Sequence, residues 1–89
     1  PNPGVLAFRP AMGGALQSSG LALFTGQEVR LEPDFTRDPD HALRMGHRIA
    51  DMLLHRGPLE QTEQFTGPSG EAIRMEPSAN RRFVRVWPG

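Results

Sequence analysis

One stretch of this 89-residue chain constrains the fold more than any other: Pro39 to Arg56, bounded on both sides by residues that start and stop helices. Asp38 is placed to accept hydrogen bonds from the free N–H groups of a first turn, and proline suits position 39 because its missing N–H has no partner there anyway. Asp40 lies at the positive end of the helix dipole, and Gly57-Pro58 halts the helix. Steps of about 100° per residue put Asp40, His41, Arg44, His47, Arg48, Asp51 and His55 in one polar sector of roughly 120°. Ala42, Leu43, Met45, Gly46, Ile49, Ala50, Met52, Leu53 and Leu54 fill an apolar sector of roughly 200°, wider than a single sheet face requires. Such a helix needs a sheet to cover it, and the strands must come from the remaining sequence.

Alternation supplies them. Leu21 to Glu32 carries Leu21, Leu23, Val29 and Leu31 on one face if Phe24-Thr25-Gly26 forms a three-residue loop with Gly26 left-handed. A Pro68-Ser69-Gly70 loop places Phe65 opposite Ile73 and Glu63 opposite Met75, again with one apolar face. Arg81 to Trp87 reads as a further strand, set off by the turn Pro77-Ser78-Ala79-Asn80. Val5 to Phe8 reads as a minor edge strand, and the Gly- and Ser-rich run Ala11 to Gly20 as a flexible connector.

The expected fold class is therefore α+β: an antiparallel sheet of two hairpins plus a C-terminal strand, in the order β-β-α-β-β-β, with the amphipathic helix packed on one face. The expected organisation is an edge segment and connector over residues 1–20 and a single domain over residues 21–89. Nothing repeats at a solenoid period.

Composition narrows function mainly by exclusion. The chain has no cysteine, which removes disulfides, thiolate catalysis and cysteine-based metal centres. Its ten basic residues balance ten acidic ones, so no net attraction to nucleic acid or an anionic membrane is expected. All ten residues of the lysine-plus-arginine class are arginine, the usage of a GC-rich bacterial genome, and these cations are therefore forked donors suited to carboxylates and aromatic faces. No apolar run reaches membrane-spanning length and the amino end has no leader pattern, so the cytoplasm is the expected location.

Three groups of residues invite a function. The wide apolar sector leaves surface for a partner, and Met45, Gly46, Ile49, Met52 and Leu53 are the expected contacts, with a second copy of the chain or the remainder of a parent protein as occupant. Arg81, Phe83, Arg85 and Trp87 would share one side of the last strand, the interleaving that a single-stranded nucleic acid uses for stacking and phosphate contact. The competing reading pairs those arginines with Glu28, Glu32 or Glu76 on neighbouring strands, and zero net charge favours it. His47, Asp51 and His55 form a stripe at spacings of four. However, the two histidines lie about 12 Å apart along the axis, too far to share one metal ion, and ordinary contacts between helix neighbours account for the stripe. Ser18, Ser19, Ser69 and Ser78 lack a positioned base, and Glu60 and Glu63 lack an environment that would raise a carboxyl pKa. The sequence thus favours a noncatalytic interaction or dimerisation domain without a cofactor, over a nucleic-acid-binding module and, last, a metal-dependent enzyme.

Overall fold

The computed structural model describes residues 7–33, 38–67 and 70–88. Within them the chain forms β1 (Ala7–Pro10), a 3-10 turn at Met12–Gly14, β2 (Leu16–Ser19), a one-turn helix α1 (Ala22–Thr25), β3 (Glu28–Leu31), α2 (Pro39–Arg56), β4 (Glu63–Thr66), β5 (Ala72–Pro77) and β6 (Phe83–Pro88). The strands make one six-stranded sheet in the order β1-β2-β3-β6-β5-β4. Two antiparallel meanders meet at its centre, where β3 and β6 run parallel.

α2 spans the expected residues, and the Asp38 side chain accepts the His41 N–H as its cap. The β4–β5 hairpin has the expected register, Phe65 opposite Ile73 and Glu63 opposite Met75. Gly70 is left-handed at φ 83°, while Pro68 and Ser69 of the same loop lie outside the described residues, as do Val5 and Leu6 of the first expected strand.

Three expectations are corrected. The sheet is mixed rather than antiparallel, because β6 and not β4 docks on β3. The central position suits the strand with large side chains on both faces, Phe83 to Trp87, whereas the polar β4 goes to the edge. Second, Leu21–Glu32 is not a hairpin: β3 already has β2 on one side and β6 on the other, so no edge is left for Leu21 to Phe24. Those residues wind into α1 instead, leaving Leu23 86% and Phe24 70% exposed while Leu21 is buried. Gly26 is left-handed as expected, at φ 79°, but it closes α1 by donating its N–H to the Ala22 carbonyl. Third, the run Ala11 to Gly20, expected as a flexible connector, contains β2, which pairs with both β1 and β3. Apolar alternation could not reveal this strand, since the core side of β2 is Leu16 and Ser18. Ser18 is buried with its hydroxyl satisfied: it donates to the Glu28 carboxylate at 2.6 Å and accepts the Val29 N–H at 2.8 Å.

α2 lies across one sheet face. Val29 and Leu31 of β3, Ile73 and Met75 of β5, and Val84 and Val86 of β6 meet Ala42, Met45, Ile49, Ala50 and Leu53 in one buried cluster. Burying residues of this kind is worth about 1.5–3 kcal/mol for each large side chain, so these few account for most of the driving force that a small domain can muster. Gln27 ties the segment after the helix to this layer. Its buried side-chain amide donates to the Leu59 carbonyl at 2.8 Å and accepts the Leu59 N–H at 2.7 Å, substituting for a strand pair. Arg56 at the end of α2 meets Glu63 at the start of β4 at 2.8 Å. That hydrogen bond holds the Glu63 carboxyl below the usual carboxylate range and the Arg56 guanidinium above its usual value. At the other end of the helix, His41 meets Glu71 ahead of β5.

Gly46 explains how the amino-terminal strand is held. A side-chain carbon at this position would come closer than 3.0 Å to the ring of Phe8, which occupies the notch that the glycine leaves in the helix surface. The same ring meets His47 edge to face at 5.5 Å. A mid-helix glycine costs about 0.5–1 kcal/mol relative to alanine, and here that cost is offset by the docking of β1. Gly46→Ala should accordingly lower the melting temperature although alanine is the better helix former, and Gly46→Leu should cost about 1–3 kcal/mol or more by overpacking. His55→Ala, on the exposed side, should stay within about 0.5 kcal/mol of the parent chain in the same thermal melts.

Candidate interaction face

The sheet face turned away from α2 has no covering layer among the described residues. Strand alternation and the pairing register set its side chains in rows. Arg9, Gln17, Arg30, Arg85 and Glu76 follow one another across β1, β2, β3, β6 and β5, and Trp87, Arg74 and Gln64 form a shorter row on β6, β5 and β4. Phe83 stands next to these on β6, half-buried.

Arg30 and Arg85 are direct neighbours across the parallel pair, and like charges opposite each other are repulsive. Glu32, one step beyond β3, resolves this. It accepts a hydrogen bond from Nε of Arg85 at 3.2 Å and lies 3.4 Å from Nε of Arg30, with its own side chain 8% exposed. Arg30 also donates to the Met12 carbonyl at 2.9 Å, tying the β1–β2 turn to the face. Arg74 lies 3.5 Å from Glu76. Two of these cations lie within cation–π reach of the one tryptophan of the chain: the Arg85 guanidinium is 4.7 Å and the Arg74 guanidinium 5.9 Å from the centroid of the Trp87 ring. Its indole N–H is buried and has no hydrogen-bond partner among the described residues.

Glu28 points to the same side but serves the backbone. Its carboxylate accepts from the Ser18 hydroxyl and from the N–H groups of Gly20, Leu21 and Ala22 at 3.1 to 3.3 Å, filling the amino end of α1. With Glu28 and Glu32 so engaged, the face presents mainly arginine and aromatic surface, Glu76 being the remaining carboxylate in the rows.

The residues singled out from sequence are thus divided. Phe83, Arg85 and Trp87 share one side of β6 as the alternation requires, with the arginine partnered by Glu32. Arg81 is not with them: it lies in the preceding turn at φ 62°, donating to the Glu60 carbonyl at 2.6 Å. Met45, Gly46, Ile49 and Leu53 are buried against the chain's own sheet, and Met52 is partly buried beside them, so the helix face expected to dock a partner is the interior of this domain. The apolar sector looked too wide for one sheet because Leu43 and Leu54, which belong to it, remain partly exposed. His47 packs on Phe8, while His55 contacts the Asp51 carbonyl through Nδ1 at 2.8 Å, and both His55 and Asp51 are exposed. Among the described residues no three His, Asp or Glu side chains are grouped as a metal ion would require. Sequence reading missed Arg9, Gln17, Arg30 and Arg74 as parts of one face. The available signal was their alternation with core positions, but placing the four together required the strand order.

No family model matches the chain, and neither does any curated protein or solved structure. No helix of the described residues is long and apolar enough to cross a membrane.

Replacing Glu32 with alanine tests the electrostatic frame of the face. The freed arginines can turn to water while two charge-assisted contacts are lost, so Glu32→Ala should destabilise by about 1–2 kcal/mol. It should also shift the emission of Trp87 as Arg85 loses its anchor. Arg9→Ala, at the far end of the row, should change neither stability nor emission.

Proposed function

We propose that this chain is a noncatalytic protein-interaction domain whose partner lies on the open sheet face, against Trp87, Arg85 and Arg74. The observation that carries this reading is Trp87 itself, with two guanidinium groups within cation–π reach of its ring and a buried indole N–H that has no hydrogen-bond partner among the described residues. Tryptophan and arginine are the residues that most often dominate protein interfaces, and a partially desolvated arginine held by a carboxylate is already oriented for a bidentate contact. A partner that competes for these two guanidinium groups can also offer a carbonyl or carboxylate oxygen to the indole donor. Four arginines, Arg9, Arg30, Arg74 and Arg85, against three glutamates, Glu28, Glu32 and Glu76, leave this face slightly positive, which suits a short acidic partner segment better than a phosphate backbone.

Single-stranded nucleic acid is the competing ligand for the same residues. Its affinity rests largely on phosphate neutralisation. Here Arg30 and Arg85 share Glu32, Arg74 is near Glu76, and the whole chain carries no net charge. The balance therefore favours the protein partner.

Trp87 makes the test direct, because its emission reports on the face without a label. An acidic peptide of alternating glutamate and aromatic residues should perturb the emission with a dissociation constant of about 10–100 µM near physiological salt. Arg85→Ala or Arg74→Ala should weaken that binding about tenfold or more. A uridine oligonucleotide should leave the emission unchanged at the same salt. Oligonucleotide binding that falls steeply with salt would replace this reading with the nucleic-acid one, and a flat response to both probes would overturn it.

A further inference from the structure

A second surface, at the α1 end of the molecule, is built independently of the open sheet face. α1 is a single turn, too short to persist unaided, yet both of its ends are fastened. The Glu28 carboxylate takes the N–H groups of Gly20, Leu21 and Ala22, and Gly26 closes the turn in a left-handed conformation. The Thr25 hydroxyl, which is buried, donates within the same corner and accepts the Gln27 N–H at 3.1 Å. This rigid mount holds Leu23 and Phe24 outward, the two most exposed large apolar residues of the described chain after allowing for Met12 in the β1–β2 turn.

Directly beside the protrusion is a depression. Thr25, Gly26, Gln27, Pro58, Leu59, Glu60 and Arg81 line an open cleft of about 400 Å³ that begins at the residue following Phe24. The volume is ample for a phenyl ring, since a cavity of about 150 Å³ accommodates benzene. Its lining carries one acidic and one basic side chain, Glu60 and Arg81, next to Pro58 and Leu59.

We infer that this end of the molecule binds a second copy of the chain, with Phe24 of each copy seated in the cleft of the other. An interface with two-fold symmetry must be self-complementary, and a protrusion adjoining a cleft on one surface meets that requirement. The charges agree: a rim bearing both signs matches a copy of itself where a single-sign rim would repel it, and two copies of a chain with no net charge do not repel at long range. The expected homodimer is thereby placed at α1 rather than on the buried face of α2. With one aromatic side chain of each copy as the anchor, association is reversible, with a dissociation constant on the order of 10–100 µM.

Sedimentation velocity on the full chain from about 5 µM to about 1 mM tests this. The parent chain should pass from one to two protomers and stop there. Phe24→Asp and Leu23→Asp, both at exposed positions, should keep the far-ultraviolet dichroism and melting temperature measured at the lowest concentration, while weakening association at least tenfold. Arg85→Ala should leave association unchanged, which separates this surface from the open sheet face. A parent chain that stays monomeric throughout, a dimer that survives Phe24→Asp, or growth beyond two protomers would each overturn the inference.

Discussion

The parallel pairing of β3 with β6 is the interaction on which the rest of this structure depends. Without it the chain is two separate three-stranded meanders, each too narrow to cover an 18-residue helix. Setting Val29 beside Val84 and Leu31 beside Val86 brings four branched or long apolar side chains under α2 at once. The same pairing sets Arg30 beside Arg85 on the opposite side and so creates the need that Glu32 meets. Core and candidate site are consequences of one register, since shifting either strand by one residue would exchange its inward and outward sets.

What could be read from the sequence was local. The cap at Asp38, the proline at the start, the glycine at the end and the regular apolar spacing define α2 within its own residues, and the β4–β5 register follows from one turn and one alternation. The strand order is not local. Leu21 to Phe24 alternates as well as many strands do, and the glycine that follows is left-handed in either a hairpin or a helix cap. The decision came from β6, some sixty residues away, which occupies the edge of β3 that a hairpin would have used. β2 escaped for the opposite reason. Its stability comes from the hydrogen bonds of Ser18 and from Leu16, in a stretch whose glycines and serines give no apolar period. Gly46 was legible as a notch, but its occupant, Phe8, belonged to a segment whose docking no local pattern indicated.

The candidate site shows the same division. Alternation along Arg81 to Trp87 placed Phe83, Arg85 and Trp87 on one side, and the glutamates available on other strands suggested pairing for the arginines. Which carboxylate does what depended on the fold. Glu28 is drawn away to cap α1, Glu32 is buried between two guanidinium groups, and Glu76 stands beside Arg85 on the neighbouring strand. The domain thus spends one sheet face on its core and keeps the other polar and open, an arrangement in which function can change at the surface while the packing beneath it stays fixed.

Amide hydrogen exchange at the β3–β6 junction tests this account most directly. The Glu28 N–H donates to the Arg82 carbonyl at 2.8 Å and the Glu32 N–H to the Val86 carbonyl at 3.1 Å, so these two amides report on the junction itself. If the pairing holds the two meanders in one cooperative unit, both should exchange only with global unfolding, at the rate of the most protected amides of α2. Exchange of Glu28 and Glu32 orders of magnitude faster, with β5, β6 and α2 still protected, would show that the amino-terminal strands are not part of that unit and would contradict the account.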